Sequence, residues 1–145
     1  MAIVKKSTQI NAPAEKVFNY LSDHNNEPDW MPGMIELNLI SGDGKNVGDQ
    51  YKWKYKMAGI ILNGESIVRE IVPNRKIVTE SSVGIKNTFT FILEPSEKGT
   101  MLELNIDYTI PVPVLGKIAE KIVLGKNERE ADLAIENIKI QIENQ

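Results

Sequence analysis

The chain has 145 residues, 41% of them apolar and 26% charged, with a formal net charge of −3, one histidine and no cysteine. These are the proportions of a soluble globular protein, expected as one domain over residues 1–145 and large enough to bury a core without staples. The missing cysteines exclude disulfides, thiolate-bound metals and thiol nucleophiles, the lone His24 excludes most zinc sites, and the weakly acidic balance speaks against nucleic-acid binding.

The first predicted element is a strand from Ile3 to Ile10. Its opening, MAIVKKSTQI, has too short an apolar stretch for a signal-peptide core. Asn11-Ala12-Pro13 then reads as a helix start, with Asn11 as cap and Pro13 near the first turn. Val17 and Leu21 lie one turn apart on the helix that follows, Ala14 to Ser22. Asp23 to Gly33 is polar and contains two prolines, which gives a short second helix or a structured loop with Trp30 and Met31 turned inward.

From residue 34 the period changes to that of strands. Met34–Ile40 is followed by the turn cluster Ser41-Gly42-Asp43-Gly44. Gln50–Met57 alternates strictly, with Tyr51, Trp53, Tyr55 and Met57 on one face and Lys52, Lys54 and Lys56 on the other. Ile60–Val72 is a long strand whose phase the pattern does not set. Lys76–Ser82, Lys86–Leu93 and Thr100–Ile110 complete the series, the last with Leu102, Leu104, Ile106, Tyr108 and Ile110 on one face. Pro111-Val112-Pro113 ends it. Val114–Asn144 has no proline and makes a helix of about 31 residues, ~46 Å long. Ala131, Ile135, Ile138 and Ile142 form one stripe facing a core. A broader apolar arc, Ile110 to Leu124, is expected to roof a cavity, with a dimer seam or lipid contact as alternatives. No run approaches the ~20 apolar residues of a membrane span, so no stable membrane insertion and a cytoplasmic location are expected.

One strand, one or two short helices, six consecutive strands and a long helix make an antiparallel meander that only the last helix can cover. Such a sheet offers more concave surface than one helix fills. Several segments, in this order, carry a resemblance: STQINAPAEKVFNYLSDHNNEPDWMPGM, NVGDQY, VREIVPNRKIV, FTFILEPSEKGTMLEL and AIENIKIQIE. On these the chain resembles the START/Bet v 1-like superfamily, and most closely its polyketide cyclase/dehydrase-like branch. The resemblance implies an α+β helix-grip fold, a curved seven-stranded antiparallel sheet around a long C-terminal helix with one or two short helices between strands 1 and 2. It also implies a hydrophobic small molecule (lipid, polyketide or isoprenoid-like) held between sheet and helix. Only some members of the superfamily are enzymes.

Candidate ligand contacts are the aromatic stripe Tyr51, Trp53, Tyr55 and Met57, whose flat faces and thioether suit an apolar ligand. Phe89, Phe91, Leu104, Ile106 and Tyr108 form a second set, and Trp30, Ile122 and Ile135 complete it from the helices. Each of these is equally a core residue by type. A catalytic role has only two candidates. Glu65, if turned inward, would be desolvated into a general acid or base, and Tyr108 could donate to an enolate oxygen; a solvated Glu65 is the plainer reading. His24, among polar neighbours, reads as a surface residue. Glu128, Arg129, Glu130 and Asp132 read as the wet side of the last helix, with Glu128–Asp132 repulsive and Lys126–Glu130 favourable, although one of them could reach the cavity. No metal and no other cofactor is expected. The preferred function is binding or carriage of a hydrophobic small molecule by a monomer or weak homodimer. A cyclase or dehydratase using Glu65, Tyr55 and Tyr108 is the first alternative, and a protein or membrane interaction module the second.

Overall fold

A computed structural model describes residues 2–57, 59–109 and 117–145. The elements in chain order are β1 (Ala2–Ile10), α1 (Ala14–Ser22), a 3-10 turn (His24–Asn26), α2 (Glu27–Trp30), β2 (Met34–Ser41), β3 (Gln50–Met57), β4 (Ile60–Val72), β5 (Lys76–Val83), β6 (Asn87–Ser96), β7 (Gly99–Tyr108) and α3 (Lys117–Glu143). Short connections pair each strand from β2 to β7 with the next, all antiparallel. β1 returns to the free edge of β7, giving one seven-stranded sheet in the order β1-β7-β6-β5-β4-β3-β2. This is the expected helix-grip architecture.

The strict alternation in β3 is realised as expected, with Tyr51, Trp53 and Met57 buried and Lys52 and Lys56 exposed. In β4 the inward side runs Gly64, Ser66 and Val68, and a bulge at Arg69, between Val68 and Glu70, then moves the inward position to Ile71. Gly64 and Val68 are buried and Glu65 is exposed. The start of α1 corrects the expectation for Asn11. Pro13 itself is the N-cap, in extended conformation, and makes no side-chain cap bond. Its carbonyl accepts from the backbone N–H of Lys16 and Val17, while the Asn11 N–H donates to the Glu143 carboxylate at the far end of α3 (2.8 Å). The expected helix start at Val114 and the arc from Ile110 to Leu124 lie outside the described residues and side chains.

α3 is fastened to β1 along its length. Lys6 forms ion pairs with Glu128 (2.9 Å) and Asp132 (3.1 Å), so the like-charge pair expected on this helix face is bridged by a cation. Lys139 donates to the Gln9 carbonyl (2.7 Å). The stripe Ala131, Ile135, Ile138 and Ile142 is buried as the spacing predicts, together with Ala134.

The core falls into three clusters. The largest joins α1, α2 and α3 to one half of the sheet, with Ile10, Val17, Leu93, Leu102 and Ile138 fully or almost fully buried. Trp30 belongs here and meets Phe91 edge-on, with ring centroids 5.7 Å apart. A second gathers residues of β2, β3 and β4 around Trp53, with Ile85. A third, small cluster joins Val4, Tyr108 and Ala131.

Candidate functional site

A cavity of about 100 Å³ opens where the three clusters meet. β3 supplies Trp53, Tyr55 and Met57 to its wall; β6 and β7 supply Asn87, Phe89, Ile106 and Tyr108. Glu27 of α2, with Met31 and Met34, closes one side, and Asn127, Glu130 and Ala131 of α3 close another. Aromatic faces and three thioethers therefore dominate, with a few polar groups set among them. Apolar cavities of about 150 Å³ accept a benzene ring, and drug-sized ligands occupy roughly 300 Å³ or more, so this volume lies below that of a one-ring site.

Of the residues singled out in the sequence, Trp53, Tyr55, Met57, Phe89 and Tyr108 line the cavity. Tyr51, Trp30, Phe91, Leu104 and Ile135 are buried but packed within the clusters, away from its wall. The Ile122 side chain lies outside the described ones. Glu65 follows the plainer, solvated reading. Its side chain is exposed and opposite Lys52, because the inward phase of β4 belongs to Gly64, over which the Trp53 ring lies. His24 corrects the surface reading. It is half-buried, its ring centroid 4.8 Å from that of Tyr51. Burial holds its pKa below the ordinary histidine value, while Asp23 and Asp49 act in the opposite direction.

The polar wall was largely missed in the sequence. Burial pushes the Glu27 carboxyl up to about 7, and among the described residues no ion pair or hydrogen bond offsets that desolvation. Glu130 accepts the Tyr55 hydroxyl proton at 2.6 Å. The Tyr55 phenol is held far above its ordinary value, first by burial, then by the Glu130 bond and charge, and lastly by Tyr108. Tyr108 is 5% exposed and its hydroxyl has no partner among the described residues. A signal for Glu130 was present, since it stands one helical turn before Ala134 and two before Ile138, both fully buried. Glu27 has no such signal, because it sits in a polar segment without periodicity. Beneath the cavity, Trp53 Nε1 donates to Ser81 Oγ (3.3 Å), and Ser81 Oγ donates to the Glu65 carbonyl (2.6 Å). That chain fixes the indole.

No lysine, arginine or histidine lines the cavity among the described residues. Nor is there, among them, a cluster of three or more His, Cys, Asp or Glu residues placed to hold a metal ion. No helix among them is long and apolar enough to cross a membrane.

Comparison with known proteins agrees with this architecture. The family model described as polyketide cyclase/dehydrase and lipid transport matches residues 1–143. A protein of Thermus thermophilus is similar over 97% of this chain and 97% of its own, at 16% identity and a TM-score of 0.82. The Zhui aromatase/cyclase of a Streptomyces species is similar over 98% of this chain and 93% of its own, at 16% identity and a TM-score of 0.80. A START superfamily protein of Mycobacterium smegmatis follows at 21% identity, 97% and 98% coverage and a TM-score of 0.72. At these identities the likeness is one of fold. Among curated proteins no sequence is similar enough to match.

Proposed function

Because this chain belongs to the polyketide cyclase/dehydrase and lipid-transport family, we propose that it binds and carries a small hydrophobic molecule in the cavity between the sheet and α3. The observation that carries this reading is the cavity itself, walled by Trp53, Tyr55, Phe89 and Tyr108 with Met31, Met34 and Met57. Rigid aromatic faces give contact area at little entropic cost, and thioethers adapt to the outline of the guest. The volume is below the ~150 Å³ at which an apolar cavity takes benzene, so even a single-ring guest needs the wall to give way. A larger polyketide or isoprenoid needs α2 or α3 to move outward. The test is uptake of 2-phenylethanol, followed by calorimetry and by native mass spectrometry. Filling the cavity with Ala131→Phe, or separately with Thr79→Phe, should weaken that uptake at least tenfold. If both variants melt cooperatively and still bind as the parent does, the cavity is not the site.

The Glu27 carboxyl favours a second reading, proton-transfer chemistry of the cyclase or dehydratase type. An acid titrating near neutrality beside apolar walls is suited to take a proton from an acidic carbon, and a tyrosine hydroxyl to steady the enolate oxygen. In this reading Glu27 and Tyr108 act and Glu65 does not. Glu27→Gln should then lower turnover of a poly-β-ketone mimic by about a hundredfold or more, within the range of general acid–base catalysis. Glu65→Gln should leave it intact. Equal turnover in parent and Glu27→Gln removes the enzyme reading and leaves the binding one.

A further inference from the structure

The charged groups on the cavity wall are of one kind. Glu27 and Glu130 both line it, from α2 and α3, and no basic side chain does so among the described residues. Glu27 is half-buried, and its carboxyl has no hydrogen bond or ion pair among the described residues. Independently of the two acids, Tyr108 stands in the same wall with a hydroxyl that has no partner among the described residues. Four aromatic residues, Trp53, Tyr55, Phe89 and Tyr108, surround the same space. Aromatic faces attract a cation and leave an anion without compensation. A carboxylate guest would meet two carboxyl groups and, among the described residues, no counter-charge, which is an unfavourable burial. An ammonium guest has donors for the Tyr108 oxygen and for a carboxylate, and its charge lies over the ring faces.

Resting on the binding reading above, we infer that the cavity selects by charge, preferring a hydrophobic amine of about one ring to a neutral molecule of the same size and rejecting a carboxylic acid. The Tyr55–Glu130 hydrogen bond holds one acceptor in place on α3. Glu27 presents the second from α2. The guest supplies the counter-charge that the wall lacks, and the apolar remainder occupies the space between Met31, Met34 and Met57.

The test is a series of equal-sized probes, 2-phenylethylamine, 2-phenylethanol and 3-phenylpropionate, titrated calorimetrically at about pH 8, where the amine is protonated and the Glu27 carboxyl is mostly ionised. The expected order is amine, alcohol, carboxylate, with the amine ahead of the alcohol by about tenfold or more, the worth of a charge-assisted hydrogen bond. Glu27→Gln keeps the shape of the side chain and should bring the amine-to-alcohol ratio toward one, and Glu130→Gln should lower it as well. Alcohol binding without preference for the amine overturns the charge selection and leaves the binding reading standing. So does a carboxylate that binds as well as the amine, or a ratio that survives both substitutions. If none of the three probes binds, the binding reading falls and the charge selection with it.

Discussion

Gly64 decides where the Trp53 ring lies. A Cβ at residue 64 would collide with the indole and with the Val83 carbonyl. Backbone and ring cannot both give way cheaply, so Gly64→Ala should cost about 1–3 kcal/mol, the range for overpacking a core, read as a lowered urea midpoint. Ser81 holds the other side of the same ring. Ser81→Ala should cost about 1–3 kcal/mol, because the buried indole N–H loses its acceptor. Glu27 gives a pH dependence with a definite sign. Its folded value of about 7 lies above the ordinary 4.5, so the folded state holds the proton more tightly. The associated stability is fully present below about pH 4.5 and is lost as the pH rises through about 7. At roughly 1.4 kcal/mol per pKa unit the effect approaches ~3 kcal/mol. Glu27→Gln should match the parent near pH 4 and exceed it in denaturant midpoint at pH 8. The aromatic wall could be read from the sequence, because strict alternation puts Trp53, Tyr55 and Met57 on one face whatever lies above them. Glu27 could not. Its burial comes from elements distant in the chain, and neither residue type nor spacing encodes that.

At the scale of elements, α3 is secured by one apolar stripe and by four polar ties to the first strand and its end. Ile138 is fully buried in the largest cluster, and Ile138→Ala should cost about 2–5 kcal/mol in equilibrium unfolding. Lys6→Met should cost far less, since exposed ion pairs contribute little; its loss leaves Glu128 and Asp132 one turn apart without this shared cation. The stripe was legible because its 4-3-4 spacing matches the helical period and survives in the fold. The phase of β4 was not, and the cause is specific. A bulge at Arg69, between Val68 and Glu70, breaks the alternation on which a strand reading depends. The Asn11 cap was missed for a different reason. A side chain suited to capping was present, but the extended Pro13 already provides the carbonyl that α1 needs.

For the molecule as a whole, order and number of elements followed from periodicity and turn residues, whereas the cavity depends on how three separately packed clusters fail to merge. That is a matter of fit between distant side chains, and no local pattern records it. The position of β1 has a consequence for the order of assembly. Strands β2 to β7 each pair with a neighbour across a short connection, so their pairing closes small loops. Val4 instead lies opposite Ile106, about a hundred residues along the chain. Closing that loop costs more entropy and is rewarded only once β7 is in place. The meander should therefore collapse first and β1 dock late. Kinetically, Ile10→Ala should chiefly speed unfolding, and Ile77→Ala, in the middle of the meander, should chiefly slow refolding. Stopped-flow chevrons of the two variants distinguish these outcomes, and a slowed refolding limb for Ile10→Ala would place β1 in the nucleus instead.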